Sequence, residues 1–378
     1  MAINLIGIAE SYKKNLRIIA GDNDPQTKIS PVGFLQMLLE NNIKTRIDEV
    51  KRTGTGHNHE VKLRYMKRGT KADVTDRDDC LTPLSPIWGE ATINRTFFSK
   101  IGISIKDREL RDWETEASKG LSIGDPSASV SNAMYQTMLS KLQGMFQKIN
   151  ENLLLTQSTK WGINAKTSSS APQSVTFSNG ITIGDGVMKL IRDFQFNEMI
   201  GTPLIVGNGS VIDYNMAQML KVSTDLQGFG RNTTWRAYED LNSISAWGDN
   251  HFGVFAEGSV GFVDFQKYAP GFSHDTGSSI KFRLPFPVML SDGSVIAMTF
   301  DAQLVNNPCN VYDDDDNLLV EEGWGFILSK SYGLFTAPDD MYQSTDRLSG
   351  VNGSFHYIGA AQNGTIVAPA DGSIWPIT

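Results

Sequence analysis

Apolar residues recur at Val130, Met134, Met138, Leu142, Met145, Ile149 and Leu153, in steps of four, four, four, three, four and four. That is the period of one helix face. Held over this length it corresponds to a rod of roughly 40 Å, longer than a mean helix. Asp125 and Pro126 supply an N-cap and a first-position proline. The spacing predicts a long helix opened at Asp125-Pro126 and running through Leu153, with Met138, Leu142, Met145 and Ile149 on its core-facing side. Gly144 inside it costs about 1 kcal/mol relative to Ala and marks a bend or a close approach.

Other stretches have period two. In EVKLRYM, Val61, Leu63 and Tyr65 alternate with Lys62 and Arg64, which predicts a strand with one charged face. Arg68-Gly69-Thr70 predicts a turn, with a weaker strand returning through Ala72 and Val74. Such a hairpin has little of its own to bury, so it is expected to project and to pack on something outside its own domain. TINRTFF and IGISI predict two further strands over 92–98 and 101–105. The charged run 107–119, with Trp113, predicts a short helix.

Upstream, PVGFLQMLLENN predicts a short helix opened by Pro31 and ending near Asn41. The first forty residues otherwise lack a sustained period and are expected to form an arm with one amphipathic anchor. Downstream, INAKTSSSAPQS is expected to be a polar linker. VTF and ITI predict strands around the turn Ser178-Asn179-Gly180, and a helix follows from Asp185. PLIVGN predicts a strand and SVIDYNMAQML a helix. The glycine-rich stretch around Gly228–Gly230 is irregular. FGVFAEGSVGFVDF, KFRLPFPVML and SVIAMTFDAQLV are rich in β-formers. The chain is thus expected to be α+β. No internal repeat is evident.

Composition sharpens this picture. With 378 residues, 40% hydrophobic and 20% charged, the chain is ordered and large enough for one large or two joined domains. Its formal net charge is -8, so as a whole it is not drawn to nucleic acid or anionic membranes. From Lys44 to Lys71, however, there are nine Lys or Arg against Asp48, Glu49 and Glu60. This basic stretch has no aromatic interleaving beyond Tyr65, so base stacking is not indicated. Cys80 and Cys309 are the only cysteines, too few for a disulfide framework and in keeping with a reducing compartment. MAINLIGIAE lacks a basic region ahead of its apolar stretch and does not read as a signal peptide. No apolar run is long enough to predict a membrane helix, and no membrane partner is expected.

Candidate chemistry is sparse. There is no P-loop and no nucleophile elbow. Gly207-Asn208-Gly209-Ser210 reads as a tight strand-to-helix turn rather than a phosphate site. His57-Asn58-His59-Glu60 is the best metal candidate and would serve a metal-dependent hydrolase. It sits among glycines, and His251, His274 and His356 lie far along the chain. Asp313 to Asp316 lacks the alternating spacing of a calcium loop. No catalytic residue, cofactor or resident metal is therefore assigned, and an enzyme is not expected.

The order of elements resembles the major capsid protein of tailed bacteriophages, the Hong Kong 97 type, a fold shared by encapsulin nanocompartments. GTPLIVGNGSVIDYNMAQML resembles that family's entry into its axial domain, and WGDNHFGVFAEGSVGFVDFQKY a later axial-domain stretch. The resemblance implies an N-terminal arm over 1–52 and an extended loop, the E-loop, over 53–90. It implies a peripheral domain over 91–201 holding the spine helix 125–157. An axial domain would span 202–285, with a return to the peripheral domain over 286–378. It implies a subunit that assembles with itself in pentamers and hexamers into an icosahedral shell around double-stranded DNA, held without sequence-specific binding. Portal, separate scaffold and decoration proteins are the further partners implied, with assembly in a bacterial host cytoplasm and a final place in the virion capsid. Since the chain opens almost directly on the arm, any scaffold is expected to be a separate protein. Lys62, Arg64, Lys67 and Arg68 are expected to meet carboxylates of an adjacent subunit. An encapsulin-like compartment is the alternative, and a hydrolase using His57 and His59 the alternative of another class.

Overall fold

The computed structural model describes residues 30–41, 47–53, 60–69, 87–105, 129–177, 186–199, 201–208, 236–248, 250–268, 271–275, 279–290, 293–307, 311–312, 318–320, 323–342 and 349–361. Its elements run, in chain order, α1 (Gly33–Glu40), β1 (Ile47–Thr53), β2 (Glu60–Met66), β3 (Trp88–Asn94), β4 (Phe97–Ile105), α2 (Ser129–Ser158), β5 (Gln173–Phe177), α3 (Gly186–Phe196), β6 (Leu204–Gly207) and β7 (Arg236–Glu239). They continue with α4 (Ser243–Trp247), β8 (His251–Phe255), β9 (Val260–Phe265), β10 (Phe272–Asp275), β11 (Ser279–Met289), β12 (Val295–Asn307), β13 (Val311–Tyr312), β14 (Leu318–Val320), β15 (Gly323–Thr336), α5 (Asp339–Tyr342) and β16 (Ser354–Ala361). The fold is α+β. The chain divides into two units, one of Met1–Pro31, Arg95–Ile149 and Asp264–Tyr332, the other of Val32–Asn94, Asn150–Val263 and Gly333–Thr378.

The first unit is built on an antiparallel sheet in the order β10-β11-β12-β15-β4. Ile280, Phe282, Leu284, Phe286 and Val288 of β11 are buried, with half-buried residues alternating between them as far as Pro285, while Pro287 is buried too. This is the period-two pattern of a sheet with one core face. Pro285 and Pro287 stand opposite Thr299 and Ala297 of β12 and lie beyond the stretch of β11 that β10 pairs with. On α2, Met138, Leu142, Met145 and Ile149 are buried, each no more than 3% exposed. The neighbouring Phe146 meets the ring of Phe300 on β12 edge-on at 6.1 Å. Lys330, fully buried on β15, places its ammonium 2.5 Å from Asp264 and 5.3 Å from the Phe300 ring centre. A buried ammonium needs such a partner.

The second unit has a mixed sheet in the order β5-β16-β8-β6-β7, with β5/β16 and β6/β7 parallel and the remaining pairs antiparallel. Val175, Leu190, Phe194, Ile205, Phe252, Val254 and Tyr357 form its core. α1 is packed within this unit: Phe34, Leu35, Met37 and Leu38 are buried. It starts at Gly33, not at Pro31, because the chain enters through a left-handed glycine with φ of 66°. Phe34 packs on Trp247 and Phe255.

Two local expectations change. Residues 163–174 are no free linker. Asn164 is buried, its N–H donates to the Ser169 carbonyl at 3.0 Å, and the Ala165 N–H donates to Asn197 at 2.8 Å. Polar sequence here reflects hydrogen bonding, not solvation. The strands read over 92–98 and 101–105 divide instead at Arg95–Thr96, with Phe97–Ile105 continuous because its register against β15 is unbroken from Trp324 to Tyr332. Trp113, Asp125, Pro126, Ala72, Val74, Asp313 to Asp316 and the 210–220 helix lie outside the described residues.

Candidate functional site: the basic strand and its root

β2 is the central strand of a separate three-stranded antiparallel sheet, β1-β2-β3. Val61, Leu63 and Tyr65 are buried, while Lys62 and Arg64 are half-buried on the other face. Register decides what each basic residue meets. Arg64 stands opposite Glu49 on β1 and Glu90 on β3. Its guanidinium also lies 4.5 Å from the ring centre of Trp88. Lys62 stands opposite Lys51 and Thr92. By register, Arg64 has an acidic residue opposite it on both neighbouring strands, whereas Lys62 has a lysine opposite it on β1.

Tyr65 stands opposite Gly89, and a Cβ added at Gly89 would fall 2.5 Å from the Tyr65 ring. The glycine is therefore required by close approach, and it lets the ring lie flat across β3. Beyond the ring, the Tyr65 hydroxyl donates to Asp340 Oδ1 at 2.5 Å. Lys67 Nζ lies 2.8 Å from Asp340 Oδ2. The Arg68 N–H donates to the Asp340 carbonyl at 3.1 Å, and Arg68 Nη1 donates to the Tyr342 carbonyl at 2.7 Å. Arg68 Nη2 pairs with Glu198. The Lys67 N–H closes the sheet end by donating to the Ile87 carbonyl at 2.9 Å. This cluster is the root of the sheet.

Electrostatics follow the geometry. Partial burial pushes the Asp340 carboxyl up, but the hydrogen bonds from Lys67 and Tyr65 and the Lys67 charge outweigh it, and the net shift is downward. Burial, then the hydrogen bond to Asp340, pushes the Tyr65 hydroxyl well above its ordinary value, so it stays a donor. The root is a set of mutually satisfied charges suited to holding a position.

Of the four basic residues singled out from the sequence, Lys67 and Arg68 therefore meet carboxylates of their own chain, while Lys62 and Arg64 lie on the sheet face. Their own-chain partners, Glu198, Asp340 and the Tyr342 carbonyl, lie far along the chain and left no local signal. His57 and His59 lie outside the described residues. Among the described residues, no group of three His, Cys, Asp or Glu side chains is placed to hold a metal, and no helix is long and apolar enough to cross a membrane.

A second polar feature of the same unit is a histidine pair. His251 Nδ1 and His356 Nε2 are 2.8 Å apart, and His356 stacks on Trp161 with ring centres 4.5 Å apart. Burial, then the neighbouring His251, lowers the His356 pKa to about 4.

No protein-family model matches the chain, and no curated protein matches it. Solved structures do. The capsid structure of cyanophage P-SCSP1u is 11% identical, covering 88% of this chain and 90% of that one with a TM-score of 0.39. A structure from Mycobacterium phage Bobi is 9% identical, covering 90% and 94% with a TM-score of 0.41. The capsid of Ralstonia phage GP4 is 12% identical, covering 89% and 93% with a TM-score of 0.38. The chain is similar, over most of its length and at low identity, to structures of phage capsids.

Proposed function

We propose that this chain is a major capsid protein, a structural subunit that assembles with copies of itself into a closed icosahedral shell around the double-stranded DNA of a phage. The observation that carries this is the three-stranded sheet. It stands apart from the two larger sheets in its hydrogen bonding and has a charged strand at its centre. Its apolar residues Val61, Leu63 and Tyr65 are already buried within the subunit, as a three-stranded sheet requires for stability, so the face left for another surface is the basic one of Lys62 and Arg64. Repeated head-to-tail contacts of one such element close into rings.

In this reading the sheet around β2 and β3 is the extended loop, 53–90, and α2 lies in the spine, 125–157. Residues 1–52 form the arm, 202–285 the axial domain, and 91–201 with 286–378 the peripheral domain. Pentamers and hexamers, a portal, a separate scaffold and decoration proteins are the partners that the reading carries. Lys62, beside Lys51 in register, is the position best suited to receive a neighbour's carboxylate. The net charge of -8 keeps the wall from gripping the DNA it encloses.

The encapsulin-like alternative differs in content rather than in subunit fold. Sedimentation velocity of the purified full chain, followed by analysis of nucleic acid and protein inside the particles, separates the possibilities. Large uniform particles from DNA-packaging cells support the capsid reading. Particles that hold a cargo enzyme favour the compartment, and a monomer at every concentration and salt removes both.

A further inference from the structure

Lys67 and Arg68 end the basic strand, yet each already holds a carboxylate of its own chain. These pairs are only partly shielded: Lys67 and Asp340 are 36% and 43% exposed, Arg68 and Glu198 20% and 47%. Ion pairs this open are individually weak, because water competes for both partners. One carboxylate can therefore replace another at little net cost. The directional contacts are stronger. Tyr65 to Asp340, the Arg68 N–H to the Asp340 carbonyl, and Arg68 Nη1 to the Tyr342 carbonyl all aim the end of β2 at α5. The geometry thus combines a fixed orientation with exchangeable charge.

We propose that this root is an autoinhibitory latch: Asp340 and Glu198 occupy the subunit's own Lys67 and Arg68, fix the end of the three-stranded sheet against α5, and are displaced by carboxylates of a second copy as subunits join. The second copy is the partner because the chain as a whole carries an acidic excess while this strand is locally basic. The latch itself concerns the isolated subunit. Only its release rests on the shell reading.

The test uses the full chain kept unassembled at low concentration, comparing wild type with an Asp340→Asn/Glu198→Gln double variant that preserves shape and removes charge. Hydrogen exchange is followed at Glu60–Met66 and Trp88–Asn94, with β16 as internal control. The latch predicts roughly three- to tenfold faster exchange in the sheet and none in β16, together with assembly at a lower protein concentration. A charge-swapped Lys67→Asp/Asp340→Lys variant should return exchange toward wild type, which a merely misfolded variant would not. Unchanged exchange in the double variant overturns the latch, and unchanged assembly concentration overturns its release. If exchange responds but wild-type protein never forms particles at any concentration, the root contact stands and the shell reading fails instead.

Discussion

Asp240 caps α1 across 206 residues of chain: its Oδ2 accepts the N–H of Phe34 at 2.9 Å. The same oxygen accepts Asn150 Nδ2 at 2.8 Å, and Oδ1 accepts the Asn242 N–H at 3.0 Å. Val32, the local N-cap residue, makes no side-chain cap bond, so a distant carboxylate serves orphan donors of α1. A Cβ at Gly33 would fall 2.1 Å from Asp240 Oδ2, at a φ of 66°. Asp240→Ala leaves these donors buried and unmet and should lower stability by about 2–4 kcal/mol. Gly33→Ala should do comparable damage through strain and clash. Urea titration of both variants checks this, and a midpoint within error of wild type would remove Asp240 as the cap.

The histidine pair makes stability depend on pH in a defined window. The folded His356 pKa is depressed to about 4 from an ordinary 6.5. Between those values the unfolded chain binds more protons, so stability rises with pH there. The contribution is full above about pH 6.5 and is lost as pH falls toward 4. Allowing for partial solvent screening it amounts to about 1–2 kcal/mol. His356→Gln, which keeps a hydrogen-bonding group toward His251, should flatten the stability profile between pH 4 and 6.5. Thermal unfolding across that range measures it, and an equally steep variant profile would assign the dependence elsewhere.

Leu142 on α2 is fully buried, one turn from Met138 and Met145. Leu142→Ala should cost about 2–5 kcal/mol by removing buried volume. Leu142→Asp should abolish soluble folded protein, because an unpaired carboxylate has nowhere to ionise there. A normal yield of folded Leu142→Asp subunits by circular dichroism would contradict this packing.

The four basic residues should separate on charge reversal. Arg64→Glu would oppose Glu49 and Glu90 across both neighbouring strands and lose the Trp88 face. It should destabilise the isolated subunit by about 1–2 kcal/mol. Lys62→Glu has Lys51 and Thr92 as register neighbours. It should leave the subunit's stability unchanged within about 0.5 kcal/mol and slow particle formation. Unfolding curves beside light-scattering time courses test the difference, and identical behaviour of the two variants would sink it.

What was legible in the sequence was periodicity. The step pattern from Val130 to Leu153 marked α2, and the alternation in EVKLRYM fixed β2 to its residues. Burial of one face leaves that signature locally. Contacts between distant segments leave none. Arg68 meets Glu198 across 130 residues and Tyr65 meets Asp340 across 275. Lys67 and Arg68 consequently read as charges awaiting a neighbour. Asn164 misled in the opposite sense: in a Ser- and Thr-rich run it looked solvated, yet it is buried in a polar network with Asp193 and Asn197. The helix at Gly33 was visible as apolar residues, but its burial depends on Asp240 and Asn150, which no local pattern connects to it.

Electron microscopy of the purified protein tests most directly whether these subunits close into a shell, as proposed. The expected result is closed icosahedral particles of uniform diameter, with the three-stranded sheet of each subunit lying on a neighbouring copy. A field of dispersed monomers under all salt and concentration conditions, or closed particles in which that sheet touches no other copy, would contradict it.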